Sequence, residues 1–233
     1  MLIKFLRDEH VESFLCGNLY FKNAGYFIDL ESKLFEKGIG DKYEGSIFQP
    51  INDDNPICIF DKNGITQPLN FTEAFSTQRY DISRQFQLTC FTDIVIEDLE
   101  PEGDEVKIKS EVLSELEKEF SKRVPIIMID ETQFFDKVSS AFKEMNIIAY
   151  RGHNKYFDEY TEATLNPFKY EHDIAEAFFY KRNLFKHQRE YRIITKKPIP
   201  EDSLTVTLGN INDIVVRMNT ISDLGLCKFQ EIK

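Results

Sequence analysis

Gln188, Glu190 and Arg192 occupy alternate positions near the end of the chain, within the stretch FFYKRNLFKHQREYRIIT from Phe178 to Thr195. Side chains alternate along a strand, so on a strand starting near Tyr191 these three share one face, while Tyr191 and Ile193 take the other. A carboxylate fixed in this way can hydrogen-bond a ribose hydroxyl. It can also offset the positive charge that grows on the sugar as an N-glycosidic bond breaks. A glutamine beside it can orient the acceptor. The same spacing has a plainer reading, in which Glu190 and Arg192 form a modest surface pair on an edge strand.

The elements that must position this row are set by composition and pattern. The chain has 233 residues, which suits a single domain spanning 1–233 that buries its core without disulfides. Phe accounts for 21 residues, so material for that core is plentiful. The net charge of −11 repels phosphate backbones and excludes general binding of duplex DNA. Cys16, Cys58, Cys90 and Cys227 form no C-x-x-C pair and lie in or beside apolar runs, the expectation for reduced core thiols. No apolar run approaches membrane-spanning length, and the N-terminus lacks the apolar stretch of a secretion signal, so a cytoplasmic location is expected. The glycine-rich phosphate loops, H-E-x-x-H and G-x-S-x-G are all absent. His10, His153, His172 and His187 are scattered without ligand spacing, so no metal site is expected and they read as surface or edge histidines.

Along the chain, Leu2 to Leu6 reads as a strand, followed by a helix capped by Asp8 with Val11, Phe14 and Leu15 inward and Gly17 as its stop. Leu19 to Phe21 is strand-like, and Gly38 to Gly45 reads as a loop. Cys58 to Phe60, Asn63-Gly64 and Ile65 onward read as a hairpin. Phe86 to Thr92 is the clearest strand in the middle of the chain, and Glu97 to Glu105 reads as an acidic surface loop. Helical periodicity marks Ser110 to Lys122 and Glu131 to Met145, with strands at Pro125 to Ile129 and Ile147 to Tyr150. Gly152 to Pro167 reads as a long loop and Glu171 to Asn183 as a helix. Strands follow at Tyr191 to Thr195, Leu204 to Leu208 and Ile214 to Met218, and a last one is placed at Lys228 to Ile232. No regular βαβ repetition appears. The expected fold is therefore α+β, with mixed, mostly antiparallel sheets and flanking amphipathic helices.

Two resemblances attach to these residues. Gln188-x-Glu190 at a loop-to-strand junction resembles the Gln-x-Glu element of ADP-ribosyltransferases. The opening strand and helix followed by Gly17-Asn18-Leu19-Tyr20-Phe21 resemble the start of such domains, and Leu88-Thr89-Cys90-Phe91-Thr92 resembles their Ser-Thr-Ser strand. That likeness implies an ADP-ribosyltransferase-like fold with NAD as cofactor. It also implies Glu190 and Gln188 as catalytic residues, and Thr89 and Thr92 on the floor of a nicotinamide pocket. Where that superfamily usually carries Arg or His on its first strand, this chain has Lys4.

More of the chain is similar to a domain-of-unknown-function family of bacterial and phage proteins. The similarity runs through Leu19-Tyr20-Phe21, Phe27, Asp41-x-Tyr43-Glu44-Gly45, Cys90-Phe91-Thr92, Phe134 and Tyr150. It continues through Phe179-Tyr180-Lys181, Phe185 and Gln188-x-Glu190-Tyr191-Arg192. The family implies that Asp41, Glu44, Lys181, Glu190 and Arg192 form one polar set, either a ligand pocket or a buried ion-pair network.

Three functions follow from these readings. One is an NAD-cleaving or ADP-ribosyl-transferring enzyme of a phage or bacterial conflict system. A second is a non-enzymatic protein that binds a defence-system protein or a nucleotide signal, with Tyr156, Phe157, Tyr160, Phe168 and Tyr170 as an aromatic protein interface. The third is a magnesium-dependent nuclease using Asp41, Glu44 and Glu190.

Overall fold

The computed structural model describes residues 1–34, 40–69, 71, 73–103, 105–166 and 173–228. Its centre is an eight-stranded sheet whose strands, among the described residues, pair antiparallel throughout. The opening segment gives strand β1 (Leu2–Leu6), helix α1 (Asp8–Leu15), strand β2 (Asn18–Asn23) and helix α2 (Ala24–Leu34). Strand β3 (Gln87–Asp93), helix α3 (Ser110–Phe120), strand β4 (Val124–Met128) and helix α4 (Glu131–Glu144) follow. The last part supplies β5 (Ala149–His153), β6 (Glu190–Thr195), β7 (Ser203–Thr207) and β8 (Val215–Arg217). The strand order is β5-β6-β3-β1-β4-β8, with β2 also paired to β3 and β7 to β2. The α+β class with mostly antiparallel sheets is therefore the observed one.

Strand alternation divides the core in two. Leu2, Ile126 and Ile193 enter one apolar cluster with Val11 and Phe14 of α1 and Phe134, Val138 and Phe142 of α4. Their immediate neighbours Ile3, Ile127 and Ile194 point to the other face. There Ile3 and Ile127 meet Val112 and Leu116 of α3, while Ile194 and Leu88 meet Ala24 and Phe178. The central strand β4 is buried on both faces because helices cover both. The α4 helix begins where the Asp130 carboxylate accepts the Gln133 amide at 2.8 Å, an N-cap bond that satisfies one of the free amides of the first turn.

Several local expectations change. The residue before α1 is Arg7, with extended backbone and no side-chain cap, and Asp8 is already inside the helix. The acidic segment after Ile96 is not a plain loop. It folds as a short 3-10 turn (Ile96–Asp98) and a hairpin of Leu99–Glu102 with Glu105–Ile108. The stretch expected to be helical around Ile174 is a 3-10 turn over Ile174–Phe179, a three-residue strand Tyr180–Arg182 and another 3-10 turn over Asn183–Gln188. Its aromatic and β-branched residues fit short, packed turns better than a long helix. The loop after Gly152 contains the strand Lys155–Phe157, which pairs in parallel with Tyr180–Arg182. The expected last strand falls almost entirely at 229–233, outside the described residues.

The Cys58 hairpin forms as Ile57–Phe60 against Thr66–Leu69, with a loop over 61–65 in which Gly64 has φ +81°. Ile57, Ile59, Phe60, Ile65 and Leu69 on it are exposed. The cysteines are free, and Cys16 is exposed while the other three are half-buried, so none is a fully covered core thiol.

Gly17 starts β2 at φ +89°, and a Cβ there would lie 1.8 Å from the Gly209 carbonyl oxygen. That same turn places the Gly17 carbonyl to accept the Leu208 amide at 2.7 Å. A Gly17→Ala chain should lose about 3 kcal/mol or more of unfolding free energy in urea titrations, because backbone strain and a backbone clash add. A loss below about 0.5 kcal/mol, the scale of an ordinary surface change, would show that this turn yields freely.

Candidate functional site

The site lies where two strands fork from one. Lys22 and Asn23 of β2 pair with Leu88 and Gln87 at the start of β3, while Leu2 and Ile3 of β1 pair with Asp93 and Thr92 at its end. Between the two branches, Thr89, Cys90 and Phe91 have no strand partner on that edge. Lys4 reaches into the gap. Its ammonium donates to the Thr89 hydroxyl and to the Cys90 carbonyl, both at 2.6 Å, and lies 4.7 Å from the centre of the Phe91 ring. It thus satisfies a carbonyl that a continuous sheet would have paired. Burial is the main cause that brings its pKa down to about 8, and the nearby charge of Arg123 works in the same direction.

On the sheet face shared with Ile3 and Ile194, the fork opens into a cleft of about 610 Å³. Tyr20 and Lys22 of β2, Tyr26 and Phe27 of α2, and Phe120 at the end of α3 line it. Glu190, Arg192, Lys181 and Gln188 line it as well. The row that alternation predicted is therefore brought together, but β6 lies between β5 and β3 and is not an edge strand. The surface-pair reading fails on burial too: Arg192 is 1% exposed and Glu190 8%.

The row is tied into one network. Arg192 grips Glu44 with both terminal nitrogens, Nη1 to Oε1 at 2.5 Å and Nη2 to Oε2 at 3.0 Å. Nη1 also donates to the Phe178 carbonyl at 2.6 Å, and Nη2 to Glu190 Oε2 at 3.0 Å. That same Glu190 oxygen accepts from Lys181 at 2.7 Å and from Asn154 at 2.8 Å. Lys181 donates in addition to Gln188 Oε1 at 2.7 Å, and Gln188 Nε2 donates to Glu119 of α3 at 2.7 Å. Two cations and two carboxylates balance here, which is the condition for keeping such groups out of water. Burial disfavours the charged Glu190, but Arg192 and Lys181 outweigh it and hold the carboxyl well below the usual carboxylate range. For Glu44 burial wins and the carboxyl is raised, against the pull of Arg192 and Lys181. Desolvation, and then the neighbouring charge of Glu190, push the Cys90 thiol up to about 12, so it stays protonated at neutral pH.

Backbone geometry makes the network reachable. Arg189 adopts φ +47°, turning the chain from the 3-10 segment into β6, and its side chain leaves in another direction to pair with Asp98 and Glu115. Tyr156 faces Lys181 in the short parallel pair, and its hydroxyl accepts the Glu190 amide at 2.8 Å. Gly45, at φ +67°, presses its backbone onto the Phe178 ring, which seats the turn that carries Glu44.

The remaining predicted residues separate. Asp41 pairs with Arg182 at 3.1 Å and is not on the cleft wall, so it belongs to a second ion pair behind the first. Thr89 and Thr92 do line the cleft, yet the Thr89 hydroxyl is taken by Lys4 and the Thr92 hydroxyl donates to the Gln188 carbonyl at 3.2 Å. Asp41, Glu44 and Glu190 each face a basic side chain, and among the described residues no group of three or more His, Cys, Asp or Glu is arranged to hold a metal. His10 and His153 are exposed and His187 is half-buried, while position 172 lies outside the described residues. Of the proposed aromatic interface, Phe157 is buried against Phe48 and Tyr156 is committed to Glu190. Tyr160 packs on Phe75, and positions 168 and 170 lie outside the described residues. Sequence reasoning missed Asn154 and Arg182 and gave Tyr156 a different role. Tyr156 meets Lys181, and Phe157 meets Arg182, only through the parallel strand pair, and a three-residue strand leaves no periodic signal.

No family model, no curated protein and no solved structure matches the chain. Among the described residues no helix is long and apolar enough to cross a membrane.

Two outcomes test the network. Replacing Arg192 by Met strands two buried carboxylates and should remove about 3–5 kcal/mol of stability, part of which the double change with Glu44→Gln restores. Chemical denaturation of the three variants checks this, and a loss under about 1 kcal/mol for the single change would place the pair among ordinary surface bridges. Lys4, followed by the NMR shift of its Cε, should titrate near pH 8. Its folded-state pKa is lowered from 10.5, so the unfolded chain holds the proton longer and this residue's contribution to stability increases as pH rises from about 8 to 10.5. A midpoint near 10.5 would mean that water reaches the ammonium freely.

Proposed function

We propose that this chain is a nucleotide-handling protein, with the nucleotide in the cleft at the fork of β1 and β2. One observation carries the reading. An ionised carboxylate, Glu190, lies on the floor of the cleft, while the rings of Tyr20 and Tyr26, both more than 40% exposed, stand in its wall. Rings with a free face stack on a base, and a fixed carboxylate accepts a ribose hydroxyl. The cleft volume of about 610 Å³ is in the range of small-molecule sites. Lys22 lies 5.2 Å from the centre of the Tyr26 ring, which orients that ring and leaves an ammonium beside it for an anionic substituent.

A second reading extends the first to catalysis, and the charge state of Glu190 favours it. Stabilising an oxocarbenium-like ribose needs the carboxylate ionised, and Arg192 and Lys181 keep it so. The same two cations also blunt its field, so binding is the primary function and cleavage of an N-glycosidic bond, with NAD as substrate and transfer or hydrolysis as outcome, the extension. The support for setting either activity in the conflict between phage and host is the sequence resemblance to bacterial and phage proteins alone, since no family model matches the chain.

Calorimetry with NAD and ADP, run beside an NAD turnover assay, separates the two. Both nucleotides should bind, and Tyr26→Ala should weaken binding about fivefold to tenfold through loss of stacking. Turnover that vanishes in a Glu190→Gln variant, shown folded by circular dichroism and still able to bind NAD, establishes the catalytic extension. Binding without turnover leaves the protein a nucleotide sensor or sequestering protein. If neither nucleotide binds, the proposal is wrong.

A further inference from the structure

The wall of the cleft built from β1 and the turn before β4 carries cations whose surroundings are incomplete. In the antiparallel pairing of these strands, Phe5 faces Pro125 and Leu6 faces Val124. Arg7 and Arg123 follow that last pair, and the charge of Arg7 is near enough to act on Arg123. Like charges so near repel. Burial is the first cause that lowers the Arg123 pKa, and Arg7 is the second. Arg123 is held by neutral contacts. One nitrogen donates to the Phe5 carbonyl at 3.3 Å, and the group lies 5.9 Å from the centre of the Phe120 ring, which itself stacks on Phe5 at 4.2 Å.

Lys4, two residues before Leu6, likewise has only the Thr89 hydroxyl, the Cys90 carbonyl and the Phe91 ring. Among the described residues neither Arg123 nor Lys4 has a carboxylate within ion-pair distance. Arg7 has one, Glu9, at 3.8 Å, in a pair whose two side chains are both more than 60% exposed. All three cations line the same cleft, in a chain whose net charge is −11. Elsewhere this protein meets its buried cations with carboxylates, as at Arg192, Lys181 and Arg182. Half-buried cations without such partners, gathered on one wall of an open cleft, are stabilised by an anion that enters it.

We propose that Lys4, Arg7 and Arg123 form an anion subsite that receives the phosphate groups of the ligand in this cleft. The proposal rests on the nucleotide reading and deepens it: it assigns the phosphates to the β1 wall and leaves the base and ribose to Tyr20, Tyr26 and Glu190. Guanidinium pairs match phosphate oxygens in two-pronged geometry, and the Lys4 ammonium adds a point charge at the deep end. A ligand with two linked phosphates fits three cations better than a single carboxylate does. Association should therefore weaken as salt rises.

The test uses the full chain and inorganic pyrophosphate, followed by titration calorimetry at low and moderate salt. Pyrophosphate should bind. Arg7→Gln, at an exposed position that leaves folding intact, should weaken it about tenfold, and Arg123→Gln by at least as much. Lys137→Gln, on α4 away from this cleft, should leave it unchanged. Adenosine serves as the phosphate-free probe. If pyrophosphate fails to bind, or binds equally well to the Arg7→Gln chain, the subsite is refuted, and adenosine binding in that case leaves the nucleotide reading intact. If pyrophosphate binds through Arg7 and Arg123 while ADP binds no more tightly than pyrophosphate and adenosine does not bind, the subsite stands and the nucleotide reading falls.

Discussion

The buried guanidinium of Arg192 is the constraint around which this structure is arranged. A fully covered cation in the middle of a sheet is tolerated only when its donors are met, and four of its five are. Meeting them requires a turn from early in the chain carrying Glu44, a carbonyl from the Phe178 turn and a carboxylate from its own strand. Three segments that share no secondary structure are thereby drawn onto one sheet face. The apolar clusters on either side, around Leu116 and around Phe178, exclude water and so strengthen the electrostatics between them.

Network and cleft are consequences of one another. Glu190 belongs to both, because its carboxylate accepts from Arg192 and Lys181 and still lines the opening. A residue shared in this way is rigid, and rigidity on the floor of a cleft favours binding because little side-chain freedom remains to be lost. The opposite wall is built on different terms. Among the described residues Lys4 and Arg123 have no carboxylate within ion-pair distance and Arg7 has only the exposed Glu9, so the cleft has a settled side and an unsettled one.

The sheet was legible in the sequence where strands alternate strongly or run apolar, as at Leu2 to Leu6, Phe86 to Thr92 and Tyr191 to Thr195. The two long amphipathic helices were legible from their buried stripes. Glu190 and Arg192 on one face were legible because alternation is a local rule, whereas Gln188 lies in the 3-10 turn before the strand and joins them through Lys181. What local pattern could not supply depends on contacts between distant residues. Glu44 and Arg192 are 148 positions apart, and only the family resemblance, not anything local to either, grouped them. The helix expected around Ile174 failed because its apolar spacing serves a 3-10 turn and a short strand equally well. The edge-strand reading of Glu190 failed because strand order is a property of the whole sheet. The division of the polar set, with Asp41 going to Arg182, follows from the Asp41–Gly45 turn, whose direction depends on Gly45 lying against Phe178.

The hairpin of Ile57–Phe60 and Thr66–Leu69 stands apart from all this. Its strands pair only with each other, and nearly all of its residues are exposed. A lone two-stranded hairpin is marginal in water, so this arm contributes little to the stability of the sheet. Its 61–65 tip is accordingly the position at which a label or a second domain can be spliced in while the cleft, held by the far side of the fold, keeps its shape.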